Sequence, residues 1–232
     1  MAREVRSRNP ETVKKLVISK LASLIAENRP ETGAMVAGIT GMDTSGKSTL
    51  ATSLADELER LGFSVQIIHL DDFHRSRADR YLPDIPEPVQ YFEHSFNYER
   101  LRDEVLKPIR DEGWLDTSLI CLNVLEDTWT TERQYLVDGD TVVLLEGVFL
   151  FRPDIAHFLD LIIYLEIDEA NVIARAQRRD APIHGDAILE KYQTKYLPAQ
   201  RAYLEEYPAE INADVIIDNN DWDDPNVIKW PL

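Results

Sequence analysis

Gly41-Met42-Asp43-Thr44-Ser45-Gly46-Lys47-Ser48, followed by Thr49, decides how this chain is read. It has the form G-x-x-x-x-G-K-[ST], the pattern of a phosphate-holding loop. Glycines at positions 41 and 46 let the backbone curl into a nest of N–H groups that can hold phosphate oxygens. Lys47 is placed to reach the outer phosphates, and the Ser48 hydroxyl to sit on Mg²⁺. A helix following the loop points its positive end at the same anion. Such a match arises by chance in roughly one chain in a hundred of this length, so context decides. Ala34-Met35-Val36-Ala37-Gly38-Ile39 ahead of the loop reads as a buried strand. Leu50, Leu54, Leu58 and Leu61 behind it repeat at helical spacing, with Gly62 as the stop. Strand, loop and helix is the context that the pattern needs. Gly41, Asp43, Thr44, Ser45, Gly46, Lys47, Ser48 and Thr49 are therefore the candidate nucleotide-binding set.

Upstream, Asn9 is a candidate N-cap and Pro10 a first helical residue, with Val13, Leu16, Val17, Leu21, Leu24 and Ile25 as an apolar stripe. Downstream, four more apolar runs read as strands: 64–70, 141–147, 161–167 and 213–218. The near-continuous apolar run at 161–167 is what burial on both faces requires. Segments 119–125 and 134–137 resemble an inserted hairpin joined by 126–133. Helices are expected over about 99–111, 169–179 and 186–205, the last interrupted at Pro198. The proline-rich loop 75–90 is long enough to suggest function or mobility. The tail, 219–232, reads as acidic and irregular.

The chain has 232 residues and no break in composition, which suits one α/β domain over 1–232. Within it we mark an N-terminal helix (1–30), an acceptor-binding region with the hairpin (71–138), a lid (168–186) and the tail. The formal net charge of −17 argues against nucleic acid or an anionic membrane as partner. A phosphate site must then be built locally, from N–H groups, Lys, Arg and metal. Cys121 is the one cysteine, so no internal disulfide forms, and it reads as core. No apolar run reaches membrane-spanning length and no signal-type segment opens the chain, so the cytoplasm is expected.

Asp71 and Glu146 each end an apolar run, on the sheet edge where ligands bind in open α/β folds. Phosphoryl transfer needs a phosphate cradle, a metal held by hydroxyl and carboxylate, and a carboxylate near the acceptor hydroxyl. Asp71 is the candidate for taking the acceptor's proton or positioning Mg²⁺. Ser48 and Glu146 are candidates for the metal. Arg175 and Arg179, four apart on one helix face with Arg178 beside them, are candidates for neutralising charge on the phosphoryl group. His74 and His94 are candidates for substrate contact, whereas His69 reads as a core or sheet residue. Tyr81, Tyr91, Phe92, Phe96 and Trp129 are aromatics that suit either a pocket wall or the core.

Taken together, these motifs resemble the uridine kinase and phosphoribulokinase-like group of P-loop kinases. The resemblance covers roughly 35–218. It rests on 38–49, Leu70-Asp71-Asp72-Phe73-His74, Tyr91-Phe92-Glu93-His94, 144–148, 175–180 and 213–217. It implies a three-layer P-loop NTPase-type α/β sandwich with a five-stranded parallel sheet, helices on both faces, a hairpin insertion and a helical lid. It also implies ATP with Mg²⁺ and phosphorylation of a small-molecule hydroxyl. Asp71 matches the catalytic aspartate, Ser48 and Glu146 the metal-side residues, and Arg175 and Arg179 the lid arginines. Phe92 and Glu93 match an aromatic–acid pair that contacts the nucleoside. The chain departs from the group in the hairpin, 122–129, where base contacts have no match. His184-Gly185-Asp186 stands where Gly-Arg-Asp is usual, and His74 where many uridine kinases have tyrosine. A nucleoside or a related metabolite is thus the expected acceptor, and homo-oligomerisation stays open. The alternative is a regulator that binds ATP and a metabolite without transfer. No Asn-Lys-x-Asp run, typical of GTPases, is present.

Overall fold

The computed structural model describes residues 10–231. The expected Asn9 cap lies outside them. In chain order the strands are β1 (Met35–Gly41), β2 (Val65–His69), β3 (Leu115–Asn123), β4 (Thr128–Val137), β5 (Val142–Gly147), β6 (Leu161–Glu166), β7 (Val215–Asp218) and β8 (Asn226–Lys229). Six form one sheet in the order β2-β5-β1-β6-β7-β8, and β3 pairs with β4 as a separate hairpin. β1 lies between β5 and β6, and the first five strands in that order run parallel.

Alternation along the strands sorts side chains into two layers. Met35, Ala37, Ile39, Val142 and Leu144 pack on one face under α1 (Pro10–Glu27) and α2 (Lys47–Arg60), against Leu21, Ile25, Leu50, Leu54 and Leu58. Val36, Ile68, Val143, Leu145 and Ile162 face the other layer, with Phe149, Phe151 and Tyr203. Each Val, Leu, Ile, Phe or Met side chain among these contributes about 1.5–3 kcal/mol on burial. Leu16, counted in the apolar stripe of α1, instead faces water, at 54% exposure. Gly62 ends α2 in the left-handed region, as expected.

Three elements differ from the sequence expectation. The tail adds β8, which pairs antiparallel with β7. Its residues alternate between exposed and half-buried, so it carries no apolar run to read. The hairpin is tighter than expected, since Thr128 already begins β4 and Asp127 takes a positive φ of 56° in the turn. β-branched Thr128, Thr130 and Thr131 favour that extension. The helix over 187–206 passes through Pro198 without a break. A wide π-type turn at Tyr192–Tyr196 precedes it, and Pro198 falls in the first turn of Leu197–Glu206. The extra residue of the π-type turn opens the hydrogen-bond ladder ahead of the proline, so the helix continues through it.

Candidate active site

The candidate residues collect at the C-terminal edge of the sheet, where the crossover order places the ends of β2, β5 and β1 side by side, with the end of β7 across β6. The loop after β1 has the backbone that the glycines anticipate. Gly46 has φ 103°, and a Cβ there would stand 2.8 Å from Nδ2 of Asn219. Thr44 takes φ 63° without being glycine, a conformation that clusters at functional sites. Ser45 has a buried hydroxyl with no hydrogen-bond partner among the described residues. Nζ of Lys47 donates to the carbonyls of Gly41 and Met42, at 3.2 and 2.9 Å, and so lies across the loop.

Glu146, at the end of β5, is buried and accepts from the Ser48 hydroxyl at 3.0 Å. Nδ1 of His69 lies 2.6 Å from the same oxygen. Burial opposes the Glu146 charge, but the His69 hydrogen bond and the Lys47 ammonium carry its pKa below the usual value. The hydrogen bond to Glu146 in turn raises His69, against partial burial. His69 is therefore a site residue that its place within an apolar run concealed. The available signal was position, since it ends β2 beside the end of β5.

Asp71 follows β2 by two residues and lies in the cleft, with 79% of its side chain exposed. The surrounding cleft walls raise its pKa, His74 opposes the rise and Glu146 adds to it. The backbone carbonyl of Asp71 is 2.9 Å from Nδ1 of His74, and the His74 ring packs on Phe96 with centroids 4.5 Å apart. Asp72 points inward instead. Arg133 and Tyr135 of β4 donate to its two oxygens at 2.8 and 3.1 Å, tying the hairpin to the end of β2.

Two cavities meet here. One, of about 500 Å³, is lined by Gly46, Lys47, Ser48, Thr49, Arg178 and Asn219, among others. The second, of about 290 Å³, is lined by Asp43, Asp71, His74, Tyr91, Phe96 and Tyr192, among others. Arg179 lines both. Its guanidinium is held by Asp180 at 2.6 Å, and Tyr192 also donates to Asp180, at 2.6 Å. Arg175 is placed differently. It donates to the carbonyls of Thr44, Ser45, Asn219 and Asn220, at 3.1, 3.3, 2.5 and 3.1 Å. Its guanidinium thus clamps the loop to the end of β7, and the residue also forms part of the wall of the first cavity. Asp43, expected on the nucleotide side, faces the second cavity and accepts from the Tyr91 hydroxyl at 2.9 Å.

Phe92 and Glu93 line neither cavity. Phe92 is buried against Phe149 and Tyr203, with centroids 5.1 and 5.6 Å away. Glu93 accepts from Arg152 at 3.1 Å, and that guanidinium also covers the Phe92 ring. His94 lines neither cavity either. The aromatics that do line the second cavity are Tyr91, Phe96, Tyr192 and Tyr196. Core and wall aromatics have the same composition, so sequence did not separate them. Asn219 was also missed. It is fully buried directly after β7, and donates to the Ser45 carbonyl at 2.5 Å.

The loop, the Ser48–Glu146 pair and the adjoining cavity at Asp71 are the architecture of a P-loop phosphotransferase. No family model matches the chain. A uridine kinase of Limosilactobacillus reuteri is 26% identical over 189 residues, covering 79% of this chain and 82% of the relative. A solved structure described as a possible uridine kinase from Bacillus stearothermophilus has a TM-score of 0.69 and 28% identity. It covers 87% of this chain and 97% of its own. The D-glycerate 3-kinase of Cryptococcus neoformans shares the fold, with a TM-score of 0.58 at 14% identity over 79% of this chain and 87% of its own. The chain is similar to the uridine kinase-like P-loop kinases, and with these relatives it is a phosphotransferase acting on a hydroxyl group. The non-catalytic regulator reading is not favoured by these relatives. Among the described residues, no helix is long and apolar enough to cross a membrane.

Proposed function

We propose that the chain transfers the γ-phosphoryl group of ATP, with Mg²⁺, to a hydroxyl of a small polyhydroxyl metabolite, with nucleosides the first class to test. The observation that carries this reading is the meeting of the two cavities at Arg179, with Lys47 and Ser48 on one side and Asp71 on the other. The uridine kinase relative supports the acceptor class.

The residues present fit the groups implied. The left-handed backbone at Thr44 and Gly46 forms a concave run of N–H groups, and the unpartnered Ser45 hydroxyl lies within it. Ser48 and Glu146 offer a hydroxyl and a carboxylate, the hard oxygen donors that Mg²⁺ takes. No cluster of three His, Cys, Asp or Glu side chains suited to a metal occurs among the described residues. A P-loop site does not need one, because substrate phosphate completes the shell. When bound, the metal would neutralise phosphate charge.

The chain's own residues do the rest. Lys47 transfers its hydrogen bonds from loop carbonyls to phosphate oxygens. His69 keeps Glu146 ionised and oriented toward Ser48. Asp71 orients the acceptor hydroxyl and takes its proton, with His74 holding the turn. Arg179, positioned by Asp180 and Tyr192, offsets charge between the cavities. Arg175 shapes the loop through its clamp on backbone carbonyls.

The test is ADP release from ATP and Mg²⁺ against uridine, cytidine, nicotinamide riboside, pantothenate, ribulose 5-phosphate, glycerate and simple sugars. An acceptor that raises the rate well above background, and fails with Lys47→Ala, supports the reading. Tight ATP binding with no stimulation by any acceptor counts against it.

A further inference from the structure

A third cavity, of about 430 Å³, opens beside the acceptor cavity and shares His184, Ile188 and Tyr196 with it as walls. It shares no wall residue with the phosphate-loop cavity. Arg77, Arg80 and Lys191 line it. Lys195 stands behind the same wall, 7% exposed, with its ammonium 4.8 Å from the ring centre of Tyr81 and 5.7 Å from that of Tyr196. Both tyrosines line the cavity.

Four cations gather here in a chain of net charge −17. Their pairing is sparse. Asp127 is 3.9 Å from Arg80, the one carboxylate within ion-pair distance of these four among the described residues. Asp127 also accepts from the backbone N–H of Arg77 at 2.8 Å. The Arg77 guanidinium donates to the carbonyl of Leu125, a neutral partner, at 2.9 Å. Nε of Arg80 is buried with no partner. Lys195 has only tyrosine faces around its ammonium, with Glu87 acting from farther away. Burial lowers its pKa. Ring faces offset only part of the cost of burying an ammonium, so an anion is the missing partner.

We propose that this annex binds an anionic group, a phosphate or a carboxylate, carried by the acceptor whose hydroxyl lies at Asp71. The proposal rests on the phosphotransfer reading above and narrows its acceptor to a charged alcohol. Guanidinium forks suit a planar or tetrahedral oxyanion better than they suit a neutral sugar. The hairpin tip and the loop 75–90, expected in the acceptor-binding region, become the walls of a charge-reading pocket.

Two measurements test it. The first is ADP release with pairs differing by one charged group: glycerol with glycerate, ribulose with ribulose 5-phosphate, pantothenol with pantothenate, and uridine alone. The second is calorimetry with inorganic phosphate, glycerate and ribose 5-phosphate, each against ribose, on protein saturated with a non-hydrolysable ATP analogue. The expected result is that the charged member of a pair is preferred by about tenfold or more in kcat/KM. Arg80→Gln and the surface variant Lys191→Ala should each raise its KM, the former about tenfold, with KM for ATP little changed. Preference for a neutral member or for uridine overturns the proposal. So does absence of anion binding, or anion binding indifferent to Arg77→Gln, Arg80→Gln and Lys191→Ala. Anion binding that these variants abolish, without turnover of any acceptor, upholds the annex while the transfer reading fails. Turnover of a neutral acceptor without anion binding does the reverse.

Discussion

Asp71 and Glu146 are both carboxylates at strand ends, and their surroundings give them different work. Asp71 stands open in the cleft beside His74, whereas Glu146 is buried and bonded to Ser48 and His69. Replacing Asp71 by Asn removes the proposed proton acceptor and keeps the shape. It should lower kcat by about 10²–10⁴ while KM for ATP stays within roughly twofold, as steady-state ADP release would read. A variant of full activity would remove Asp71 from the reaction. The His69–Glu146 pair makes a prediction in pH. His69 is raised, so its contribution to stability is complete below its ordinary 6.5 and is lost as pH climbs through the raised value. Glu146 is lowered, so its contribution is complete above 4.5 and is lost as pH falls through the lowered value. The Tm gap between wild type and His69→Asn should therefore be widest between about pH 4.5 and 6.5 and shrink in alkaline buffer. A gap that is flat or grows above neutrality would contradict the pairing.

Among the elements, the phosphate loop is held from outside its own segment. Arg175, from the helix Glu169–Arg179, takes two loop carbonyls and two from the residues after β7. Lysine at that position keeps the charge and loses the fork. Arg175→Lys should weaken ADP binding about tenfold by calorimetry and speed amide exchange across 42–46. Unchanged binding and exchange would assign the clamp no role. The hairpin is tied to the same edge through buried Asp72. Tyr135→Phe leaves one oxygen of that carboxylate short of a donor, at a cost of about 1–3 kcal/mol in chemical denaturation. A loss below about 0.5 kcal/mol would mean that Arg133 alone satisfies Asp72.

Across the whole molecule, β8 caps the edge that β7 would otherwise expose. Trp222 and Val227 pack against the layer formed with α1 and α2, and the Lys14 ammonium stands 4.1 Å from the Trp222 ring centre. An uncovered edge strand is a template for pairing with another copy. Deleting 221–232 should lower Tm and shift the protein toward larger species in size-exclusion chromatography. A truncated chain that stays at its original elution volume and Tm would show the cap to be dispensable.

The phosphate loop, the five parallel strands and the carboxylates at 71 and 146 were all legible from local pattern. A P-loop is a contiguous backbone shape whose glycines and lysine are fixed by spacing, and a strand buried on both faces must be apolar along its length. What tertiary structure alone decided was partnership. Whether Phe92 or Phe96 walls the cavity depends on how the 90–98 segment packs, since both are equally apolar. That Arg175 also clamps the loop shows only when the end of β7 brings two carbonyls beside two from the loop, and His69 reads as sheet until β5 sets Glu146 beside it. The tail became a strand because β7 offered an unpaired edge. Pro198 read as a break because a π-type turn depends on the packing of the helix that contains it. Local sequence constrains backbone shape and burial. Side-chain partners lie up to 174 positions apart, as Asn219 and Ser45 do, and only the crossover order of the sheet brings them together.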